Sequence, residues 1–456
     1  MENNVMEEQL RTLSELLEER RFSGAGAIVK DMNPADAAWI LEELPEQRMP
    51  VLFRLLPKEL AADTFAYMEP ESQELLVQGF SDRELDEVME QLFLDDTVDM
   101  IEEMPANVVK KILRHVDSET RRMINQVLNY PKDSAGSIMT MEYVDLKRSM
   151  TVEQAFERIR RTGVEKETIY TCYVTDSRRK LLGIVTVKDL LLARKDEVIR
   201  NIMETNVKYV STHTDQEEAA RALSKYDFLA LPVVDAEERL VGIVTVDDAI
   251  DVIQEEATED IEKMAAIAPS DRPYMKTGVF ATWRKRVPWL LFLMISATFT
   301  SGILASFEGA LAASMVLTNF IPMLMDTGGN SGGQSSATII RGLSLGEIQY
   351  RDVPRVLLKE CSVAMLCGGT LALANFVKLL LVDRVALTVA AVVCVTLVAA
   401  ILVANIVGSS LPILAKRLGL DPTVTASPLI TTIVDAVVLM IYFNICLLYT
   451  SPSPRD

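Results

Sequence analysis

The 456-residue chain reads as a multidomain protein in three parts: an all-α superhelix, an α/β tandem pair, and an α-helical membrane region of five spans. Three observations predict this. Short helical units recur through the first part, one strand and helix pattern occurs twice between about 140 and 255, and long uncharged stretches begin at Val287. The expected boundaries are 1–130 for the superhelix, 131–255 for the tandem pair, 252–273 for a connecting helix and 284–450 for the membrane region.

In the first part, NPADAAWILEEL, PEQRMPVLFRLL, PKELAADTFAYM and PESQELLVQGF each open on a proline or polar cap and close on apolar residues. Pro34, Pro45, Pro57 and Pro70 recur where a missing N–H costs nothing, in a helix's first turn. SDRELDEVMEQLF and PANVVKKILRHV continue the pattern. Units this short cannot bury an apolar face alone, so they must stack. YPKDSAGSIMT, polar and glycine-containing, ends the array as a linker.

The pattern then changes. VEQAFERIRRTG, TIYTCYVTD and LLGIVTVKDLLLA are followed by a second set, QEEAARALSKYD, FLALPVVD and LVGIVTVDDAIDVI. The paired GIVTV segments, each leading into an Asp-bearing helix start, resemble a tandem CBS domain pair. Thr186 with Asp189, and Thr245 with Asp248, stand at the spacing that in CBS pairs contacts an adenosine ribose. The same residues suit plain helix capping, and both readings stand. The resemblance makes Tyr170, Lys188, Asp189, Phe228 and Pro232 candidates for a nucleotide site, with ATP as a regulatory ligand.

The net charge of −19, concentrated before the membrane region, makes nucleic acid a poor partner and cations attractive ones. A solvated acidic face is the plain alternative. MENNVMEEQL has no basic stretch followed by an apolar run, so the soluble half is expected to stay in the cytosol. Cys172, Cys361, Cys367, Cys394 and Cys446 lack CxxC spacing and read as small apolar fillers. His115 and His213 are not in HExxH spacing, and neither a Walker motif nor a nucleophile elbow occurs. That argues against an enzyme and against ATP-driven pumping.

The five apolar segments lie near 287–307, 311–340, 355–382, 385–412 and 424–449, each able to cross a core of about 30 Å. Arg284, Lys285, Arg286, Arg341, Arg351, Arg355, Lys359, Lys416 and Arg417 fall on one side, and Lys378 and Arg384 on the other. The bias predicts a plasma-membrane protein whose C-terminus is outside. Polar residues within spans are expensive and mark function. NFIPMLMDTGGNSGGQSSATIIRG carries Asp326, Asn330 and Gln334 among glycines that permit close backbone approach or a broken helix. Asp435, in PLITTIVDAVVLMIY, is an isolated carboxylate that would take up a proton unless it met water or a cation. It is therefore expected to line a wet path. Mg²⁺ sheds its water reluctantly, so two such carboxylates in a symmetric dimer would hold it through its hydration shell. Asn405 offers either a neutral oxygen there or an interhelical hydrogen bond.

Stacked helical repeats, a CBS pair, an acidic connecting helix and five spans resemble the MgtE family of magnesium channels over essentially the whole chain. GGNSGGQSSAT and SPLITTIVD are the specific motifs. The resemblance implies a homodimer with the ion path between subunits and Asp435 as its carboxylate. It places Asn405, Asn330, Gly328, Gly329 and Ala426 along that path, Asp421 at its mouth, and a plug in the helix from about 252 to 272. Ser427 stands where relatives often carry Asn, and LLYTSPSPRD departs from the family's apolar close. Charge placement adds a sensor. Asp95, Asp96 and Asp99 are expected to face a surface bearing Glu217, Asp227, Asp248 and Asp251, with Glu256, Glu259 and Asp260 on the connecting helix. Crowded carboxylates repel one another, and bound Mg²⁺ would screen them and close the pore. The competing readings are a channel for Co²⁺ or Mn²⁺, against which oxygen-only ligands argue, and a membrane-anchored nucleotide sensor, which has no use for Asp435.

Overall fold

Prolines and short polar caps set the rhythm of the N-terminal part in the computed structural model, which describes residues 2–270, 274–275, 277–307, 315–425 and 427–450. Its helices are α1 (Glu2–Glu18), α2 (Phe22–Val29), α3 (Pro34–Glu43), α4 (Met49–Phe53), α5 (Lys58–Ala66), α6 (Pro70–Gly79), α7 (Asp82–Met89), α8 (Leu94–Glu103), α9 (Ala106–His115) and α10 (Ser118–Val127). Asn33 caps α3 by accepting from the Ala35 N–H at 3.0 Å, and Ser81 and Glu84 form a reciprocal capping box on α7. Pro34 and Pro70 occupy first-turn positions, whereas Pro57 is the N-cap of α5. Pro45 precedes a turn, so the PEQRMPVLFRLL unit makes only the short α4. One apolar core runs through the stack, with Phe53, Phe65 and Phe80 packed ring to ring at 5.3 to 6.2 Å.

Two copies of a three-stranded sheet follow. In the first, β1 (Tyr143–Lys147) pairs parallel with β2 (Thr168–Thr175), which pairs antiparallel with β3 (Leu181–Thr186). In the second, β4 (Val210–Ser211), β5 (Ala230–Val234) and β6 (Leu240–Thr245) repeat that order and those directions. Helices α11 (Val152–Thr162), α12 (Val187–Leu192), α13 (Ile199–Ile202) and α14 (Gln216–Tyr226) accompany them. The two GIVTV glycines have one physical cause. A Cβ at Gly183 would meet the Glu204 carbonyl at 2.7 Å, and one at Gly242 the Thr140 carbonyl at 2.7 Å. At each point an extra segment bridges the sheet edge, Ile184 with Glu204 and Ile243 with Thr140.

The chain divides into two compact units, Met1–Ile253 and Gln254–Asp456, and α15 (Val246–Met264) carries the chain from one to the other. The connecting helix thus starts at Val246 and ends at Met264, short of the expected 273, because Ala266 turns into the left-handed region at φ 56° and Pro269 follows.

The second unit contains α16 (Val279–Ser306), α17 (Met315–Thr318), α18 (Ile321–Ser344), α19 (Val353–Leu381), α20 (Leu387–Arg417) and α21 (Ser427–Thr450). Four stretches, Val279–Ser306, Tyr350–Leu381, Leu387–Arg417 and Pro428–Leu447, are long and apolar enough to cross a membrane. The expected second span is α18, which starts ten residues later than anticipated and is too polar to join those four. It packs against α20 and α21 instead. The crossing of α18 and α20 is backbone on backbone: a Cβ on Gly408 would lie 2.2 Å from the Gly332 carbonyl oxygen. Lys416 closes the same end of the bundle by donating to the Leu343 carbonyl at 2.8 Å.

Gly408→Ala is expected to lower the melting temperature of the full chain in detergent, at a cost of about 1–3 kcal/mol for forcing the two backbones apart. Gly369→Ala, where the added carbon meets nothing within 4 Å, is the control and leaves melting unchanged.

Candidate metal centre and ion path

Helix α8 points its N-terminus at the first sheet. The Leu94 N–H donates to Glu142 Oε2 at 3.2 Å, so a carboxylate from the segment entering β1 caps the helix. Asp95, one residue on, therefore meets Glu142, and Glu167, from the turn before β2, completes a trio. One carboxylate oxygen from each of Asp95, Glu142 and Glu167 lies within 4.8 Å of the others. Asp96 and Asp99 on α8 also feel Asp248 at the start of α15.

This crowding shows in the acidities. Burial first, then Asp96 and Glu142, raise Asp95. Burial first, then Asp95, raise Asp248, although Thr245 donates its hydroxyl to that carboxylate. Asp96 is pushed up to about 7 by burial, Asp248 and Asp247, and Glu167 to about 9 by burial and then Asp95 and Asp96. Asp99 keeps an exposed edge and shifts the same way, through the partial loss of water around its carboxyl first and then Asp248. Glu167 Oε2 is buried without a hydrogen-bond partner. An orphaned carboxylate oxygen beside two others is a donor set that fits a hard cation.

The remaining predicted sensor residues lie elsewhere. Glu217 pairs with Arg221 on α14, and Asp227 is the exposed left-handed C-cap of that helix at φ 54°. Asp251 is raised by burial and then Asp247. Glu256, Glu259 and Asp260 continue along α15 in the second unit, with Glu259 paired to Lys263 at 2.8 Å. Of the nucleotide candidates, Tyr170, Lys188 and Asp189 are exposed in the first copy, and Asp189 forms a capping box with Thr186. In the second copy Phe228 stacks on Tyr226 and Pro232 is buried in β5. Glu142 and Glu167 were missed, because Glu142 stands alone between Met141 and Tyr143 and Glu167 sits in a mixed-charge turn beside Glu165 and Lys166, and only the fold brings them to α8.

In the membrane unit, Asp435 on α21 has one carboxylate oxygen buried without a hydrogen-bond partner and lies close enough to Asp326 on α18 for their charges to interact. Gly328 and Gly329 admit α21: added carbons there would meet Val438 at 3.1 Å and Thr431 at 2.9 Å. Asp326, Asn330, Gln334 and Thr338 follow at four-residue spacing, an exposed polar stripe along α18. Asn405 is buried and turned inward, accepting from the Ser331 hydroxyl at 2.6 Å. Asp421 accepts from Lys263 at 2.8 Å and from Thr423; burial works to raise it, but these bonds prevail and hold it below the ordinary range. Ala426 lies outside the described residues.

Four helices that can cross a membrane, a polar stripe on the helix packed against two of them and a carboxylate trio that suits a hard cation fit a membrane transporter of divalent cations. The MgtE family model, described as a divalent cation transporter, matches residues 321–445; the MgtE intracellular N domain matches 32–133, and CBS domains match 135–196 and 199–255. The chain is 39% identical to the magnesium transporter MgtE of Thermus thermophilus over 96% of its own length and 98% of that protein's. It is 31% identical to the Bacillus subtilis magnesium transporter MgtE over 98% of each. The crystal structure of the cytosolic domain of the Mg²⁺ channel MgtE in complex with ATP, 37% identical, covers 53% of this chain and 99% of that one with a TM-score of 0.51. The chain belongs to the MgtE family.

The raised carboxylates give a pH dependence. Their folded pKa values lie above the ordinary unfolded values of about 4, so the folded state binds more protons and metal-free stability falls as pH rises from about 4 to about 8. A divalent ion displaces those protons, so its stabilising effect grows across the same window. Melting of the full chain in detergent is expected to drop between pH 5 and pH 8 without divalent ions and to recover most with Mg²⁺ at pH 8.

Proposed function

We propose that this chain is a Mg²⁺ channel of the cell membrane, working as a homodimer whose ion path runs past Asp435. The observation that carries the reading is Asp435 itself, a carboxylate with a buried, unpartnered oxygen on an apolar helix, beside a second carboxylate, Asp326. Two such groups repel unless a cation passes them. The exposed stripe of Asp326, Asn330, Gln334 and Thr338 supports the dimer, since a polar row facing lipid is costly and a second copy would enclose it around water. A divalent ion moving inward gains about 4.6 kcal/mol per 100 mV, twice the value for a single charge, so no other energy source is required. The N-terminal half and the positive loop residues lie in the cytosol, and the C-terminus lies outside.

Regulation follows from the acidic cluster. Mg²⁺ held by Asp95, Glu142 and Glu167, with Asp96, Asp99 and Asp248 around it, stabilises the packed state of the cytosolic part. The signal passes along α15, which carries both Asp248 and the Glu256, Glu259 and Asp260 carboxylates. Domain roles are those of the family: a helical array from 1 to 130, a CBS pair from 131 to 255, the connecting helix as plug, and the pore beyond residue 284. ATP, bound in the related cytosolic domain, is the candidate ligand of the CBS pair here. Co²⁺ or Mn²⁺ is the second reading, favoured less because the ligands are all oxygens.

In liposomes, Asp435→Ala is expected to abolish Mg²⁺ flux nearly completely, and unchanged flux would refute the ion path. Neutralising Asp248, Asp251, Glu256 and Glu259 together is expected to leave the channel open at Mg²⁺ concentrations that close the native chain, as read by flux against internal Mg²⁺.

A further inference from the structure

Glu360, near the start of α19, is 9% exposed, and no cation pairs with it among the described residues. Its Oε2 accepts from the Ser335 hydroxyl of α18 at 2.8 Å and from the Asn405 amide of α20 at 3.3 Å. Three helices therefore meet on one carboxylate oxygen. Asn405 uses its other side-chain atom as well, accepting from Ser331 at 2.6 Å, and its backbone carbonyl accepts from Ser335 at 3.3 Å and Ser409 at 2.7 Å.

An asparagine amide has two ends of opposite character and nearly equal shape, so its neighbours must choose its orientation. Glu360 makes that choice. A carboxylate oxygen that accepts here faces the NH₂ and leaves the amide oxygen for Ser331. Without Glu360, a donor would be left unpaired in an apolar interior, or the amide would turn and Ser331 would have to change from donating to accepting.

The clasp sits beside the Gly332 and Gly408 crossing, where α18 and α20 touch by backbone. Glycines permit close approach but supply no side chains to resist rotation. The neighbouring hydroxyl and amide bonds supply that resistance. On α18, the glycines one turn earlier pack against Thr431, Val434 and Val438, the residues flanking Asp435 on α21. Any rotation of α18 at the crossing is therefore felt at the Asp326 and Asp435 pair.

We infer that Glu360 is a positioning residue for the ion path: by orienting the Asn405 amide and accepting from Ser335, it fixes the rotation of α18 and so the place of Asp326 and Asp435. The flux arm of the test rests on the channel reading, and the stability arm does not.

The experiment uses the full chain carrying Glu360→Ala, Glu360→Gln, Asn405→Ala, Ser335→Ala, and the Glu360→Ala/Asn405→Ala pair. In liposomes with a Mg²⁺-free interior, Glu360→Ala is expected to lower maximal flux about tenfold, the scale of one lost hydrogen bond to a charged group, while the half-saturating Mg²⁺ moves less than about twofold. Glu360→Gln, whose amide oxygen still accepts both bonds, restores most of the flux. Ser335→Ala lowers flux in the same direction. The double variant is no slower than Asn405→Ala alone. In detergent, the melting losses of the two single alanine variants are expected not to add. Native flux in Glu360→Ala, a glutamine variant as slow as the alanine one, or additive losses in flux or melting would each overturn the inference. Should Glu360→Ala not assemble, the glutamine and Ser335 variants decide it.

Discussion

A carboxylate removed from water must acquire a proton, a cation or a set of hydrogen-bond donors, and this chain meets that constraint in different ways along its length. At the first sheet, Asp95, Glu142 and Glu167 crowd together with an oxygen left over, so the proton affinities of Asp95 and Glu167 rise and a cation becomes the better neighbour. In the bundle, Glu360 is satisfied by neutral donors from two other helices. Asp421 takes an ammonium, that of Lys263. Among the described residues, Asp435 has none of these on one oxygen, and a second carboxylate, Asp326, lies close enough for their charges to interact.

These solutions divide the molecule's work. Carboxylates satisfied by fixed donors hold structure, because the donors move only if helices move. Carboxylates left short of partners are responsive, because an ion in solution can complete them. The Lys263 and Asp421 pair stands between these cases: it is an ion pair within the second unit, at a position where the family resemblance places a metal. The Lys263 ammonium serves both Glu259 and Asp421, so a cation built into the chain, rather than one from solution, meets these two carboxylates.

The repeat architecture also rests on simple demands. Both GIVTV glycines are crowded by a carbonyl from an added edge segment, so the two copies share a backbone constraint as well as a pattern. Helices α18 and α20 likewise require glycine at Gly332 and Gly408, and the polar clasp beside them turns a smooth contact into a fixed one.

The order of parts, the doubled strand and helix pattern, four of the five expected apolar spans and the presence of a carboxylate in the last of them were readable from residue type and period, because burial and membrane insertion act on local composition. Proline positions were less informative: Pro45 and Pro57 look alike in sequence, yet one precedes a turn and the other caps a helix. The amphipathic character of α18 was hidden by its glycines and small polar residues, which suit a helix packed inside a bundle as well as a span. What only the tertiary structure decided was which distant groups share space. Glu142 and Glu167 reach Asp95 across the fold, and Glu360 reaches Ser335 and Asn405 on two other helices. Sequence encodes what each side chain demands, but the partner that meets the demand is set by chain crossings far apart in number, and only packing fixes those.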